Sequence, residues 1–459
     1  MLLFFGILLV IFFGYLLCMV LVKEMHLLER LGLSFLLGFG VFTLLMFCYS
    51  TLGLRITTQS TLLVLAICIF YLFVFLKLFK RRVSLNPVGF IKSFLSFSKL
   101  EKIIVLVLAA LGTGSLIIST YFPVHVWDAL ALYDFRAKII AEQGFYTQIV
   151  KNFWYFDGYP LYTSLSHTLV YIFRGTNPQF LYSLMYISFI FIFYSNLREF
   201  VDRKISLIIS LLLATTPTIF DHSTFAYTNL PYTIFLATGS IYLFIWFTKK
   251  KPIGYLILAA VLTGLSTWTR NPEPFWILNI FILVFLSIYK FKKYFSPTLI
   301  YVICFLSIRG PWKLVNFYQL IDSGAVKTSP VTSEVGAYAT TLLETTFNQV
   351  RISEVAVFIY QNVIVSWFPV FFLFLFCIFI NFKGFIKKAN TLFLATIILY
   401  FVLLLYGTYI FSFNNSTWSA IPDSARRMAM FFIPLMIFYI GLSLGGLGKN
   451  GNEKIIKKI

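Results

Sequence analysis

The residues best suited to chemistry in this chain are polar side chains at the ends of long apolar runs, and Asp128 is the first of them. Asp128 comes soon after the apolar run 103–121 and begins an amphipathic stretch. A carboxylate at the edge of the hydrocarbon could accept a proton from an acceptor hydroxyl, or hold a divalent cation against a phosphate leaving group. The alternative role is a helix N-cap, since aspartate satisfies free backbone N–H groups at a helix start. The sequence is compatible with both roles.

The stretch after Asp128 is predicted to be a helix with two different faces. Its apolar residues recur at helical spacing on one side: Leu130, Tyr133, Ala137 and Ile140. Its charged residues form a ladder at i, i+4 spacing on another side: Asp134, Lys138 and Glu142. Such a helix is typical of a segment that lies along a membrane surface. A surface helix here would place Asp128 at the opening of any cavity that the neighbouring helices enclose.

A second candidate lies in the connection 221–231, which begins with Asp221 and His222. Carboxylates and imidazoles bind metals, so this pair could ligate a divalent ion such as Mg²⁺ or Mn²⁺. The alternative interpretation is a hydrated turn. The sequence pattern leaves both open.

Basic residues occur at several helix ends on the same predicted side as Asp128: Arg270, Arg309, Lys313, Arg426 and Arg427. A phosphate on a lipid carrier would be a suitable partner, because a guanidinium can bind it through two hydrogen bonds. The alternatives are ion pairs with Glu273 or Asp423, or extension of the side chains to lipid headgroups. Tryptophans near this face are predicted to stack on sugar rings or to form an interfacial belt.

The composition defines the broad class of the protein. Of 459 residues, 59% are hydrophobic, 20% are aromatic and only 12% are charged. Soluble domains carry about 25% charged residues, so these values indicate a polytopic membrane protein. The net charge of +20 does not indicate a nucleic-acid partner, because the Lys and Arg residues sit in short clusters between apolar runs. The five cysteines lie within apolar runs and lack metal-ligand spacing.

The fold class predicted from these runs is an all-α membrane protein of about 13 transmembrane helices. The basic clusters place the N-terminus outside and the C-terminus inside the cell, in the plasma membrane. Three extra N-terminal helices fall in 1–100, and a membrane module with an outer loop at 122–178 falls in 101–310. The part 311–459 holds an outer loop, 311–354, and three further spans. The run 160–174 is short and polar, and is predicted to be a second loop helix that does not cross.

The order of these parts resembles the GT-C superfamily of integral membrane glycosyltransferases. The branch concerned includes the dolichyl-phosphate-mannose protein mannosyltransferases and the bacterial lipid A aminoarabinose transferases. Five short motifs carry the resemblance: Trp-Asp-Ala at 127–129, Gly-Tyr-Pro-Leu-Tyr at 158–162, Thr-Asn-Leu-Pro at 228–231, Trp-Thr-Arg-Asn-Pro-Glu at 268–273 and Gly-Pro-Trp-Lys at 310–313. The similarity covers roughly residues 101–320 and, more loosely, the last three spans.

The resemblance implies transfer of a sugar from a polyprenyl-phosphate donor to a lipid, glycan or protein acceptor outside the cell, with inversion at the anomeric carbon. Asp128 matches the position of the catalytic carboxylate in the family. The carrier phosphate would be held by Arg270, Arg309 and Arg426. Many relatives have an acid just before Leu-Pro in the second outer turn, whereas this chain has Asn229.

Three further residues of the module are predicted to contact substrate: Tyr162, which ends its motif, His167 in the helix that follows, and Lys313 in Gly-Pro-Trp-Lys. Each could instead have a structural role. The departure at Asn229 puts a shared metal site in doubt, although its amide oxygen could still ligate beside Asp221.

Two other functions compete with a glycosyltransferase. A secondary transporter or lipid flippase would need ionisable residues near the middle of the membrane and two similar halves. A lipid-linked polysaccharide polymerase is compatible with the large loop 311–354. Charges at the outer helix ends and the lack of an internal repeat favour transfer chemistry.

Overall fold

The computed structural model describes residues 1–81, 96–146, 159–270, 274–322, 348–380, 388–415 and 417–456. Every regular element in these ranges is a helix. The helices are α1 Leu2–Leu21, α2 Leu27–Thr51, α3 Thr58–Leu78, α4 Lys99–Tyr121, α5 Phe135–Gln143, α6 Tyr162–Ile172, α7 Phe180–Arg198, α8 Arg203–Ala214, α9 Pro217–His222, α10 Asn229–Lys249, α11 Ile253–Thr269, α12 Ile277–Tyr289, α13 Phe291–Asp322, α14 Gln349–Ile359, α15 Phe368–Ile380, α16 Lys388–Asn414, α17 Pro422–Ala429 and α18 Ile433–Ile456. Two π-helical segments, Ala129–Asp134 and Tyr360–Ile364, precede α5 and follow α14.

Eight of these helices are long and apolar enough to cross a membrane: α1, α2, α3, α4, α7, α10, α13 and α16. The count rises to ten if two bent pairs each form one span. In one pair, α14 with its π segment meets α15 at 99°, and in the other α17 meets α18 at 41°. The prediction of an all-α, multi-pass membrane protein is therefore confirmed, since a helix satisfies its own backbone hydrogen bonds in lipid.

The predicted count of 13 spans is not confirmed. Three of the predicted spans coincide with α8, α11 and α12, which have only 12, 17 and 13 residues. About 20 apolar residues are needed to cross the hydrocarbon. The run predicted as 204–220 is divided because Thr216 is extended before Pro217, which starts the separate helix α9.

The first two helices pack closely because glycines face each other. A Cβ on Gly14 would lie 2.0 Å from the carbonyl oxygen of Ser34, and one on Gly38 would lie 2.4 Å from that of Val10. Small residues let helix backbones approach in this way. Helix α2 packs in turn against α7, so the N-terminal helices join the rest of the bundle.

The segment after Asp128 differs from the predicted surface helix in two respects. It starts as a π-helix, which changes the angular spacing of side chains, so Leu130 is 40% exposed whereas Ala137 and Ile140 are buried. The ion pair between Lys138 and Asp134 is present at 2.9 Å, but Asp134 is buried rather than on the surface. The charged side of this predicted surface helix therefore does not include Asp134, which is inside the protein.

The run 160–174 forms α6, whose 11 residues are too short to cross a membrane, as predicted. All of its residues except Tyr171 are buried, and it packs against α2 and α5. The second predicted outer loop, 311–354, begins as helix, because α13 continues through Pro311 to Asp322. Residues 323–347 lie outside the described ranges, as do 147–158 and 271–273, which include parts of two motifs.

The middle of the bundle contains a buried network of neutral polar side chains. The Ser240 hydroxyl donates to Asn279 Oδ1 at 3.1 Å, and the Asn279 amide donates to Thr263 Oγ1 at 3.2 Å. Tyr301 donates to the same threonine at 2.8 Å, and Tyr400 lies 3.2 Å from the Ser240 hydroxyl. Because its members satisfy one another, the network ties α10, α11, α12, α13 and α16 together without a buried charge.

Candidate active site

Asp128 lies between α4 and the π-helical segment, with its side chain partly exposed. Its carboxylate accepts no capping hydrogen bond from the backbone of that segment. Oδ2 instead accepts a hydrogen bond of 2.6 Å from the hydroxyl of Tyr227, which is 99 residues away in sequence. This is the only polar contact of the carboxylate within the described ranges. The capping role considered from the sequence is therefore absent, and Asp128 is oriented by a tertiary contact.

The connection that carries Asp128 is fixed by an asparagine from the following loop. The Asn177 amide donates to the carbonyl oxygens of Ser119, Thr120 and Phe122, at 3.0 to 3.2 Å. These carbonyls end α4 and have no partner within the helix. Asn177 therefore caps α4 and sets the direction in which the chain leaves towards Asp128.

The turn that carries Tyr227 is fixed by buried hydroxyl groups. The Ser115 and Ser223 hydroxyls lie 2.6 Å apart, and Ser183 donates to the carbonyl oxygen of Ser223 at 3.0 Å. These bonds join the turn between α9 and α10 to α4 and α7. Helix α4 also leads to Asp128. The two partners of the hydrogen bond between Tyr227 and Asp128 are therefore anchored to the same helix.

Two side chains, Arg427 and His222, lie against the phenol ring of Tyr227. The Arg427 guanidinium lies 5.2 Å from the ring centroid and forms an ion pair with Asp423 at 3.0 Å. The His222 ring lies 5.9 Å away, edge-on. Burial, together with the hydrogen bond to Asp128 and its charge, raises the pKa of Tyr227 well above its usual value, so the hydroxyl remains a donor at neutral pH.

His222 is buried in this environment, and its Nδ1 has no hydrogen-bond partner in the part of the chain that is described. Burial lowers the pKa of His222 to about 3, with further lowering by the positive charges of Arg427 and Arg270. The imidazole is therefore neutral at pH 7.

Arg270 is the C-cap residue of α11 and donates a hydrogen bond to the amide oxygen of Asn229 at the start of α10. Its guanidinium lies 5.7 Å from the ring centroid of Phe431. The cation therefore lies at the oxygen that was predicted to ligate a metal, and its charge opposes a metal ion there. Within the described residues, no three His, Cys, Asp or Glu side chains are grouped to hold a metal. Asp221 is exposed, and a metal role for Asp221 and Asn229 stays a prediction.

Arg309 lies on α13, beside Trp276, which directly precedes α12. Its guanidinium lies 4.1 Å from the ring centroid of Trp276, and Arg309 has no carboxylate partner in the described residues. Arg309 Nη1 and Trp276 Nε1 are both buried donors for which these residues provide no acceptor. Since buried donors are almost always paired, this arrangement fits a ligand that supplies anionic oxygens.

Two of the residues predicted to contact substrate are placed in the protein core instead. His167 is fully buried, with Nδ1 3.1 Å from Asp134 Oδ1 and Nε2 3.0 Å from the Tyr182 hydroxyl. Tyr162 is buried as well, and its hydroxyl lies 3.5 Å from the sulfur of Met185. These contacts favour the structural alternative for both residues.

The adjacent arginines of α17 have different surroundings. Arg426 is exposed, whereas Arg427 is partly buried against Tyr227. The sequence favoured Arg426, and a helical projection of α17 onto its buried residues, Ala425 and Ala429, would not have favoured Arg427, which lies two residues from each of them. Lys313 is partly buried on α13, four residues after Arg309. The role of Tyr227 had no signal in the sequence.

No family model, curated protein or solved structure matches the chain. The resemblance to the GT-C superfamily therefore rests on the sequence motifs alone and stays a prediction.

Proposed function

We propose that this protein is a membrane glycosyltransferase that moves a sugar from a polyprenyl-phosphate donor to an acceptor on the extracytoplasmic face. The observation that supports this most directly is the Asp128 carboxylate, which is held through one oxygen by Tyr227 and is partly open to solvent. A general base needs this combination of fixed direction and access. A carboxylate used only to cap a helix would instead accept backbone N–H groups.

In the proposed reaction, an acceptor hydroxyl attacks the anomeric carbon from the face opposite the phosphate. Asp128 takes the hydroxyl proton as the new carbon–oxygen bond forms. The bond to the phosphate oxygen breaks and its electron pair leaves with the polyprenyl phosphate. A single displacement of this kind inverts the anomeric carbon. Tyr227 orients the carboxylate and does not itself exchange a proton.

The leaving phosphate needs positive charge near the base. Arg270, Arg309 and Arg427 supply it, each beside an aromatic ring that fixes the guanidinium: Phe431, Trp276 and Tyr227, respectively. Phe431 contacts Phe275 at 5.6 Å, and Phe275 is followed directly by Trp276, so Arg270 and Arg309 flank one aromatic cluster. Guanidinium groups in a site with little water stabilise charge that develops on a phosphate.

The transporter or flippase alternative has less support. In the described residues, the buried polar network at the middle of the bundle is neutral. The buried charged residues of the spanning helices, such as Glu29, Arg30 and Glu101, lie in first turns, at the helix ends. A transporter that couples to ions would place such groups midway along the helices. A lipid-linked polysaccharide polymerase would use the same site with a growing glycan as acceptor.

The test is transfer of labelled sugar from polyprenyl-phosphate donors by the purified protein. Asp128→Asn keeps the side-chain size but removes the base, and we expect turnover to fall by about 100-fold or more while donor binding is retained. Glu142→Gln is the matched control, because it removes an exposed carboxylate of α5, which follows Asp128 in the same stretch. Full turnover by Asp128→Asn, or an equal loss in the Glu142→Gln control, would contradict the proposal.

A further inference from the structure

A groove that is partly open to the surroundings lies between α10, α12 and α16. Its walls are mainly apolar and include Leu243 and Phe247 of α10, Leu283 and Leu286 of α12, and Phe393 of α16. One part of the lining is polar and belongs to the neutral network around Ser240. A groove with this apolar lining suits ligands that are mostly hydrocarbon.

One end of the groove lies within a helical turn of several lysines. Phe247 is followed by Lys249 and Lys250, and Leu286 is followed by Lys290 in the tight turn between α12 and α13. All three lysines are exposed and have no carboxylate partner in the ranges described. The groove therefore ends at a concentration of uncompensated positive charge.

Aromatic contacts connect the groove wall to a further lysine. Trp246 and Phe247 both contact the ring of Tyr294, at 6.4 and 6.0 Å between centroids. The ammonium group of Lys293 lies 5.1 Å from the centroid of the same ring. Lys293, on α13, and Lys290, in the turn before α13, therefore lie at the lysine-bordered end of the groove.

This site is at the opposite side of the membrane from Asp128. Asn229, which binds Arg270, begins α10, and Lys249 ends it. Twenty residues of helix at 1.5 Å each separate the two ends by about 30 Å, the thickness of the hydrocarbon. The candidate active site and the lysine-bordered groove therefore do not share a ligand headgroup.

We propose that this groove binds an anionic phospholipid from the leaflet at the lysine end. One hydrocarbon chain occupies the groove, and the phosphate contacts Lys290 and Lys293. Basic pockets between membrane helices recognise anionic headgroups, and a zwitterionic lipid carries no net charge to match them. Because the hydrocarbon chain of the lipid lies between three helices, the bound lipid holds α12 and α16 against α10. The proposal is independent of the glycosyltransferase activity.

Native mass spectrometry of the purified full chain tests the proposal, with phosphatidylglycerol or phosphatidylcholine of identical chains added. We expect wild type to retain one phosphatidylglycerol preferentially. Each lysine near a lipid phosphate contributes about fivefold to affinity, so Lys290→Gln with Lys293→Gln should weaken phosphatidylglycerol binding roughly 30-fold. The matched control is Lys77→Gln with Lys80→Gln, which removes two exposed lysines at the C-terminal end of α3, a helix that does not line the groove.

A second pair of variants tests the groove. Leu286→Trp fills the lining and should displace the lipid, whereas Ile288→Trp changes a residue that is 78% exposed on the same helix and should not. Size-exclusion chromatography checks that each variant is folded, and the lysine variants remain informative if Leu286→Trp is not. Equal retention of the two lipids by wild type, or equal losses in the test and control variants, would overturn the proposal.

Discussion

Replacing Asp134 by Asn tests the buried polar network that includes His167. Asp134 is 2% exposed and accepts hydrogen bonds from His167 and Tyr171, while Lys138 forms an ion pair with its second oxygen at 2.9 Å. Asparagine keeps the size and one acceptor oxygen but removes the charge. If the network is structural, the substitution should destabilise the protein whatever its substrate is.

The magnitude follows from the pKa of Asp134. Burial acts to raise this pKa, but the hydrogen bonds from His167, Tyr171 and Lys138 outweigh burial and hold it at about 2, below its ordinary 3.8. That difference corresponds to about 2 kcal/mol of folding free energy at pH 7. Since the pKa is lower in the folded state, the contribution is complete above about pH 5 and is lost as the pH falls through 4 towards 2.

The free energy of unfolding in detergent, measured by titration with a denaturant, should be about 2 kcal/mol lower for Asp134→Asn at pH 7, and the deficit should be about half as large at pH 3. Glu142→Gln is the matched control, because Glu142 is an exposed carboxylate on the same helix and should cost less than about 0.5 kcal/mol. A deficit that does not depend on pH, or one no larger than that of the control, would refute this reasoning. His167 would then be available for the substrate role predicted from the sequence.

Three further predictions follow from other contacts. Arg309→Gln removes a guanidinium with an unpartnered Nη1 and should weaken binding of polyprenyl phosphate about tenfold or more, as measured by equilibrium binding. Gly14→Ala would place a Cβ 2.0 Å from a backbone oxygen of α2 and should lower stability by about 1 to 3 kcal/mol, whereas Gly114→Ala, which meets no atom within 4 Å, should be neutral or stabilising in the same unfolding assay. Tyr227→Phe removes the hydrogen bond to Asp128 and should lower kcat about tenfold with little change in KM, and Arg427→Gln should lower it only two- to fivefold.

The choice between Arg426 and Arg427 shows where sequence patterns stop being informative. Both follow the same apolar run at the same predicted membrane side, and their charge is identical. The orientation of the short helix α17 decides that Arg427 contacts Tyr227 and Arg426 faces outward. That orientation depends on packing against distant helices, which no local pattern records.

His167 shows that the polarity of a residue near a predicted site does not establish contact with substrate. In the sequence it is a histidine in a short, polar run beside a predicted site, which favoured contact with substrate. Its partners, Asp134 and Tyr182, come from α5's preceding segment and from α7, and together they satisfy both ring nitrogens within the protein.

The sequence by itself determined that this is an all-helical protein of many membrane-crossing segments, because long apolar runs can be buried in lipid only as helices. It also singled out Asp128, since a carboxylate beside such a run needs an explanation. Only the tertiary structure decided that Asp128 is held by Tyr227, that its helix begins with a π-helical segment, and that Arg270 binds Asn229. These contacts join residues 41 to 99 positions apart, and they form only when several helices have packed together.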